Sequence, residues 1–175
     1  MTSFLIQAVG VCAMAVLFSS FQFKQLKMLY IFQAVSSALF ALHFGLLGAV
    51  TGMIMNLIGV LRSLILMWEG KRWAYNPVML GVFVLATVGC GSIGFSFPIS
   101  LFCVGAMCIS MFTLWSGNGR TIRLWQLFCI SPLWIIYNIF AGDMPSYAGI
   151  LNEILNMTSV IVSIKRFGLK NLGSA

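Results

Sequence analysis

Glu153 is the residue from which a chemical reading of this chain starts. The sequence holds three acidic residues, ten Lys or Arg and a single His. Glu153 lies inside the apolar run ILNEILNMTSVIV (150–162), flanked by Asn152 and Asn156. Asn152, Asn156, Ser159 and Ser163 recur at steps of 4, 3 and 4, which puts them on one face of a helix. Gly52, Asn56, Gly59 and Ser63 recur with the same steps in an earlier run, and that run carries Arg62. A charge at the centre of a bilayer costs about 2.5–3.5 kcal/mol on insertion scales, so such residues face a bundle interior or a cavity. Arg62 and Glu153 are therefore expected to pair in one conformation or to carry a proton. The competing reading of Arg62 is a side chain that reaches the nearby surface. For the Gly and Ser positions it is close helix packing.

Other polar residues join this set. Gln33 and His43 lie on one apolar run and Gln126, Trp134, Tyr137 and Asn138 on another. Asn56, Asn152, Asn156 and Gln33 could hydrogen-bond a solute, with Trp134 and Tyr137 as an apolar, stackable wall. His43 and Asn138, near run ends, are candidates for a gate or a helix interface. Pro132 removes a backbone hydrogen bond and should kink its helix, so it is the candidate hinge. The chain shows no paired-carboxylate site, no Ser/His/Asp arrangement, no metal-ligand spacing and no phosphate loop. The expectation is a protein that is not an enzyme and uses no cofactor or metal. Cys12, Cys90, Cys103, Cys108 and Cys129 all sit in apolar runs without C-x-x-C spacing, as small packing residues do.

The elements that must position these residues follow from composition. The 175 residues are 61% hydrophobic and 7% charged, against about a quarter charged in a soluble domain. Apolar runs long enough for a hydrocarbon core of about 30 Å recur throughout. The partner is thus the lipid bilayer, and the net charge of +7 does not point to nucleic acid. Helices are expected near 3–21, 27–46, 49–68, 78–95, 98–115, 124–141 and 146–164, with turns at Gly94–Pro98 and over SGNGRTIR (116–123). The opening MTSFLIQAVG lacks a basic n-region, so the first helix is expected to be retained. With the Lys24–Lys27 loop in the cytoplasm, seven spans put nine of the ten basic residues on that side, as the positive-inside rule requires. The N-terminus is then periplasmic and the C-terminus cytoplasmic. Trp68, Trp73 and Trp115 are placed in the cytoplasmic aromatic belt.

An internal repeat organises the spans. Residues 24–68 and 120–166 share a basic pair, an apolar run with Gln33 or Gln126, the blocks ALHFGLLG and IIYNIFAG, and a second run with Asn56 or Asn152. The repeat needs a two-residue insertion, at Asp143–Met144. The fold expected is an all-α membrane protein of seven transmembrane helices in two parallel triple-helix bundles (3+1+3). The first bundle is 1–68, the loop and linker helix 69–96, the second bundle 97–166 and a short cytoplasmic tail 167–175.

HFGLLG (43–48) followed by Asn56 and Arg62, and WIIYNIFAG (134–142) followed by Glu153 and the basic end at Arg166, resemble the YgjV family of bacterial inner-membrane proteins over nearly the whole chain. The resemblance implies a multi-pass protein of the bacterial inner membrane. More remotely, the 3+1+3 plan is similar to the SWEET and PQ-loop transporters, where an Asn on the third helix of each bundle and a Trp on the second help bind solute. That likeness implies solute-binding roles for Asn56, Asn152 and Trp134. The corresponding place in the first bundle is near Phe40, the Pro-Gln dipeptides are absent, and Pro98 is the one remnant of them. The expected function is a carrier of a small polar solute, sugar-like in this resemblance, working by alternating access. The alternatives are a non-transporting receptor or assembly factor of the same fold, and a proton-coupled exchanger using Glu153.

Overall fold

Local signals set most helix ends in the computed structural model, which describes residues 3–46, 50–68, 71–91, 98–140 and 147–172. Among the described residues there are seven long helices and no strand. They are α1 (Ser3–Ser20), α2 (Leu26–Leu46), α3 (Val50–Leu66), α4 (Pro77–Gly91), α5 (Ile99–Trp115), α6 (Gly119–Phe140) and α7 (Tyr147–Phe167). A 3-10 turn at Leu169–Asn171 follows. Pro77 occupies the first position of α4, where its missing N–H costs nothing, and Asn76 Oδ1 accepts from Val78 N at 2.8 Å. Gly168, at φ +72° and ψ 146°, follows α7 in a positive-φ conformation open chiefly to glycine.

The start of α6 differs from the sequence expectation. Residues 116–123 do not form one long loop. Asn118 caps α6, its Oδ1 accepting from Arg120 N and Thr121 N, so the helix begins at Gly119 and takes in Arg123. Asn is a strong N-cap because its side chain replaces a missing backbone acceptor. Several sequence expectations lie outside the described residues: Leu47 and Gly48, Glu69, the turn at Gly94–Phe97, and Ala141–Gly142 with the Asp143–Met144 insertion and Ser146.

Each helix packs along its neighbours in the chain, and α7 returns to α1, so the seven form a closed circuit. Small residues permit the closest approaches. A Cβ on Gly52 would lie 3.0 Å from the Phe44 ring, and one on Gly59 would lie 3.1 Å from Ser37 Oγ. The small face of α3 is therefore spent on packing against α2. The apolar core runs through the middle of the circuit, with Leu29, Tyr30, Met55, Leu66, Met111, Trp115 and Val160 among its members. Trp115 departs from its expected belt position. It is buried against Phe83, ring centroids 5.5 Å apart, while Trp68 and Trp73 are half exposed.

The distribution of polarity is the reverse of a soluble protein's. Leu85 is 73% exposed and Phe128 69%, whereas Arg62, Arg123, Glu153, Asn152 and Asn156 are buried. Apolar side chains outside and polar groups inside suit a lipid environment. Helices α2 and α6 are each long and apolar enough to cross a membrane, and four shorter apolar stretches accompany them. Tyr75, between α3 and α4, meets Tyr30 at the start of α2, and Tyr30 donates to the Leu114 carbonyl at the end of α5. Arg123, early in α6, reaches the turn after α1. These contacts gather the exposed Lys24, Lys27, Lys71, Arg72 and Arg120 at one end of the circuit, with Lys165 and Arg166.

Candidate functional site

The inward face of α7 carries the site. Leu151 and Ile154 are each 50% exposed, while Asn152, Glu153 and Asn156 between and beside them are buried. The Glu153 carboxylate is held by three neutral donors. Ser131 Oγ donates to Oε2 at 2.6 Å, Asn156 Nδ2 to Oε2 at 3.4 Å, and Asn152 Nδ2 to Oε1 at 3.1 Å. Ser131 in turn accepts from Gln126 Nε2 at 2.9 Å. A carboxylate offers about four acceptor positions. Ser131 and Asn156 occupy those on Oε2 and Asn152 one on Oε1, so one position on Oε1 stays open. Asn152 Oδ1 and Asn156 Oδ1 are buried with no partner. The cluster is thus a chain of side-chain hydrogen bonds that ends in unfilled acceptors.

A change of helical winding brings Gln126 and Ser131 together. Five residues of α-helix advance by about 500°, which would leave the two side chains about 140° apart. Gln126–Ile130 is a π-helical segment instead, and Ser131 N–H bonds the Gln126 carbonyl. The wider turn stacks residue 131 over residue 126. It also relieves Pro132, which lacks an N–H and crowds the carbonyl four residues earlier. The backbone irregularity expected at Pro132 is therefore a π segment just ahead of it. Such segments recur at functional sites.

The two buried guanidinium groups lie elsewhere. Arg62 does not pair with Glu153, and among the described residues neither makes an ion pair. Arg62 Nη1 donates to Ser110 Oγ at 3.1 Å and lies 3.9 Å from Met111 Sδ, both on α5, and its Nε is unpartnered. It is buried rather than extended to the surface. Arg123 was grouped with the loop charges but is fully buried. Its Nε donates to Ser163 Oγ at 3.0 Å, and its Nη atoms donate to the carbonyls of Gly119 at 3.2 Å, Phe21 at 3.4 Å and Phe23 at 2.7 Å. It ties α6 to α7 and to the turn after α1. Nearby, Ser159 donates to the Phe18 carbonyl and accepts from Gln22 Nε2. The lower part of the α7 polar face is therefore structural.

The remaining candidates disperse. Asn56 Nδ2 donates to the Gly52 carbonyl of its own helix at 2.9 Å, and α3 packs along α2 and α4 rather than α7. Asn56 and Asn152 are thus engaged in different structures. Gln33 is buried with Oε1 unpartnered. His43 Nδ1 donates to the Ile6 carbonyl at 2.9 Å, and a Cβ on Gly10 would sit 3.0 Å from its ring. It fastens α1 to α2. Trp134 and Tyr137 are half-buried, rings 5.6 Å apart and edge to face. Asn138 is buried against Gly149, whose lack of a Cβ lets α6 and α7 meet. Reasoning from sequence missed Ser131 and Arg123. The Ser131–Pro132 pair inside an apolar run was the available signal for the first; nothing local signals the second. Among the described residues no group of three His, Cys, Asp or Glu gathers, so the site's ligating power is one carboxylate with amides and a hydroxyl.

An exterior of apolar side chains around buried, hydrogen-bonded charges agrees with the relatives of this chain. A family model described as a bacterial inner membrane protein, Imp-YgjV, matches residues 4–171. The inner membrane protein YgjV of Escherichia coli (strain K12) is 28% identical over 142 residues, covering 80% of this chain and 73% of that protein. No solved structure matches the chain. With all but a few terminal residues matched, the chain belongs to the Imp-YgjV family of bacterial inner membrane proteins.

Proposed function

We propose that this protein is a carrier that moves a small polar solute across the inner membrane by alternating access, with Glu153, Asn152, Asn156, Ser131 and Gln126 as its polar centre. The observation that carries this reading is the Glu153 carboxylate, buried between α6 and α7 with open acceptors around it. An ionisable residue inside a membrane bundle marks a pathway or a proton relay more often than a fold determinant. Its one partner on α6, Ser131, sits at the junction of a π segment and Pro132. A bend changing at that junction would part Ser131 from Glu153 and open the pocket. Trp134, one turn further along α6, edge-on to Tyr137, supplies the adjoining aromatic wall.

The reading includes seven spans with the N-terminus outside. The gathering of exposed basic residues at one end of the helix circuit supports it, because positive ends face the cytoplasm. It also includes two triple-helix units joined by α4. In support, α2 lies between α1 and α3 as α6 lies between α5 and α7. The polar centre belongs to the second unit, and Asn56 is not part of it.

Uptake by proteoliposomes tests the proposal, using radiolabelled sugars, amino acids and small organic acids, with and without a pH gradient. Flux of at least one solute class is expected, and it should fall steeply in Glu153→Gln and Asn156→Leu. Solute flux unchanged in both variants would remove the site assignment. No flux across the panel, with a stoichiometric protein co-purifying in mild detergent, would favour a receptor or assembly factor.

A further inference from the structure

The polar centre has a charge and hydrogen-bond imbalance that points to a ligand class. Glu153 is 6% exposed, Asn152 8% and Asn156 3%. Both amide NH2 groups are turned toward the carboxylate. That leaves their carbonyl oxygens, Asn152 Oδ1 and Asn156 Oδ1, without donors, and one acceptor position open on Glu153 Oε1. The buried atoms of this cluster that lack any partner are therefore both oxygen acceptors. The donor atoms Ser131 Oγ, Asn152 Nδ2 and Asn156 Nδ2 are each engaged with the carboxylate. The nearest alternatives for neutralising the charge are committed elsewhere: Arg62 to Ser110 on α5, and Arg123 to carbonyls and Ser163.

We infer that this pocket binds a small monovalent cation, an alkali ion or the head of a primary ammonium solute, through Glu153 Oε1, Asn152 Oδ1 and Asn156 Oδ1. Oxygen-only ligation suits a hard cation, and it suits equally an ammonium, which donates three hydrogen bonds and accepts none. One carboxylate balances one positive charge. A divalent ion would leave a net charge buried, which is costly in a low-dielectric interior. A neutral polyol would leave the buried carboxylate's charge uncompensated. The ligand that fits brings one positive charge to the carboxylate and meets the two unpartnered oxygens. Asn152, Glu153 and Asn156 lie within 1.5 turns of one helix, so α7 alone presents the three oxygens. Ser131 on α6 holds the carboxylate in place, and movement at the π segment would release this hold. The inference rests on the carrier reading for its purpose, since a bound cation would be the coupling ion or the solute itself.

Equilibrium binding of sodium-22 and of carbon-14 methylammonium to the full chain, purified in mild detergent, tests this. At least one probe is expected to bind saturably at one site per chain. Saturation by sodium that methylammonium does not displace identifies an ion site; the reverse identifies an amine site. Glu153→Gln keeps the shape but loses the charge, and should weaken binding by more than tenfold. Asn156→Leu removes one oxygen and should weaken it roughly 10–100-fold. Elution as a single symmetric peak in size exclusion shows whether each variant is folded, and Asn156→Leu stands in if Glu153→Gln is not. Neither probe saturating the parent protein, or a folded variant binding as tightly as the parent, would overturn the inference. Cation binding without solute uptake would end the carrier reading and leave the cation site standing. Solute uptake without cation binding would do the opposite.

Discussion

Replacing Arg123 with Met should be among the most destabilising single changes in this chain, although its neighbour Arg120 should be replaceable at almost no cost. Both are basic residues at the start of α6, and only burial separates them: Arg123 is enclosed, Arg120 exposed. Arg123 makes four hydrogen bonds, to Ser163 Oγ and to the carbonyls of Gly119, Phe21 and Phe23. The Gly119 carbonyl is already placed to accept within its own helix, so its loss matters little. Phe21, Phe23 and Ser163 have no such substitute. A buried polar group stripped of its partner costs about 1–3 kcal/mol, so three of them amount to roughly 3–9 kcal/mol. Relief of the guanidinium's own desolvation offsets part of this, leaving about 3–5 kcal/mol from the lower half of that range. At about 2–4 °C per kcal/mol for a chain of this size, the expected fall in melting temperature is on the order of 10 °C. Arg123→Lys should fall between, because a single ammonium cannot span three acceptors arranged for a planar fork. The assay is size exclusion of a fluorescent fusion after stepped heating in mild detergent, with Arg120→Met as control. If Arg123→Met melted within about 2 °C of the parent, then water would have to satisfy these carbonyls, and the clamp would have no energetic standing.

Three further outcomes follow from the packing and the charges. A Cβ on Gly91 would lie 2.6 Å from Val104 Cγ2, a branched tip that cannot swing far, so Gly91→Ala should cost about 1–3 kcal/mol. Gly89→Ala on the same helix meets nothing within 4 Å and should stabilise slightly by stiffening the unfolded chain; the same heating assay reads both. Trp115 Nε1 is buried without an acceptor, so Trp115→Phe should be neutral or mildly stabilising, and a loss above about 3 kcal/mol would mean that the indole N–H is in fact used. In a background lacking the five native cysteines, Lys71→Cys and Ser146→Cys should react with a membrane-impermeant maleimide from opposite sides, and reaction from the same side would remove the seven-span topology.

Much of the helical plan was legible because apolar runs and their interruptions are local. The ends of α2 and α5 fall within a residue of where hydropathy puts them, and Asn76–Pro77 announces α4. The start of α6 was not legible by the same route. Counting charges treats Arg120 and Arg123 alike, as solvated loop residues, and the acceptors that bury Arg123 come from a turn about 100 positions earlier in the chain. The matched faces of α3 and α7 show the same limit from the other side. Identical spacing does create identical faces, but what a face meets is a property of the neighbouring helix. On α3 it meets Phe44 and Ser37 and becomes packing. On α7 it meets Ser131 above, Arg123 and the α1 end below, and divides into a polar centre and a clamp.

The expected Arg62–Glu153 pair rested on the premise that a buried charge needs an opposite charge. Among the described residues, neutral dipoles do that work at all three buried charges. Arg123 has its nitrogens matched by carbonyls and a hydroxyl, and Arg62 is held through Nη1 by Ser110, its Nε unpartnered. Glu153 is also held by neutral groups, but holding it turns two amides so that their carbonyls face nothing. Stabilising the carboxylate therefore creates the acceptors around it. A structural charge ends with its hydrogen bonds closed, as at Arg123. Around Glu153 the two amide oxygens of Asn152 and Asn156 end open instead.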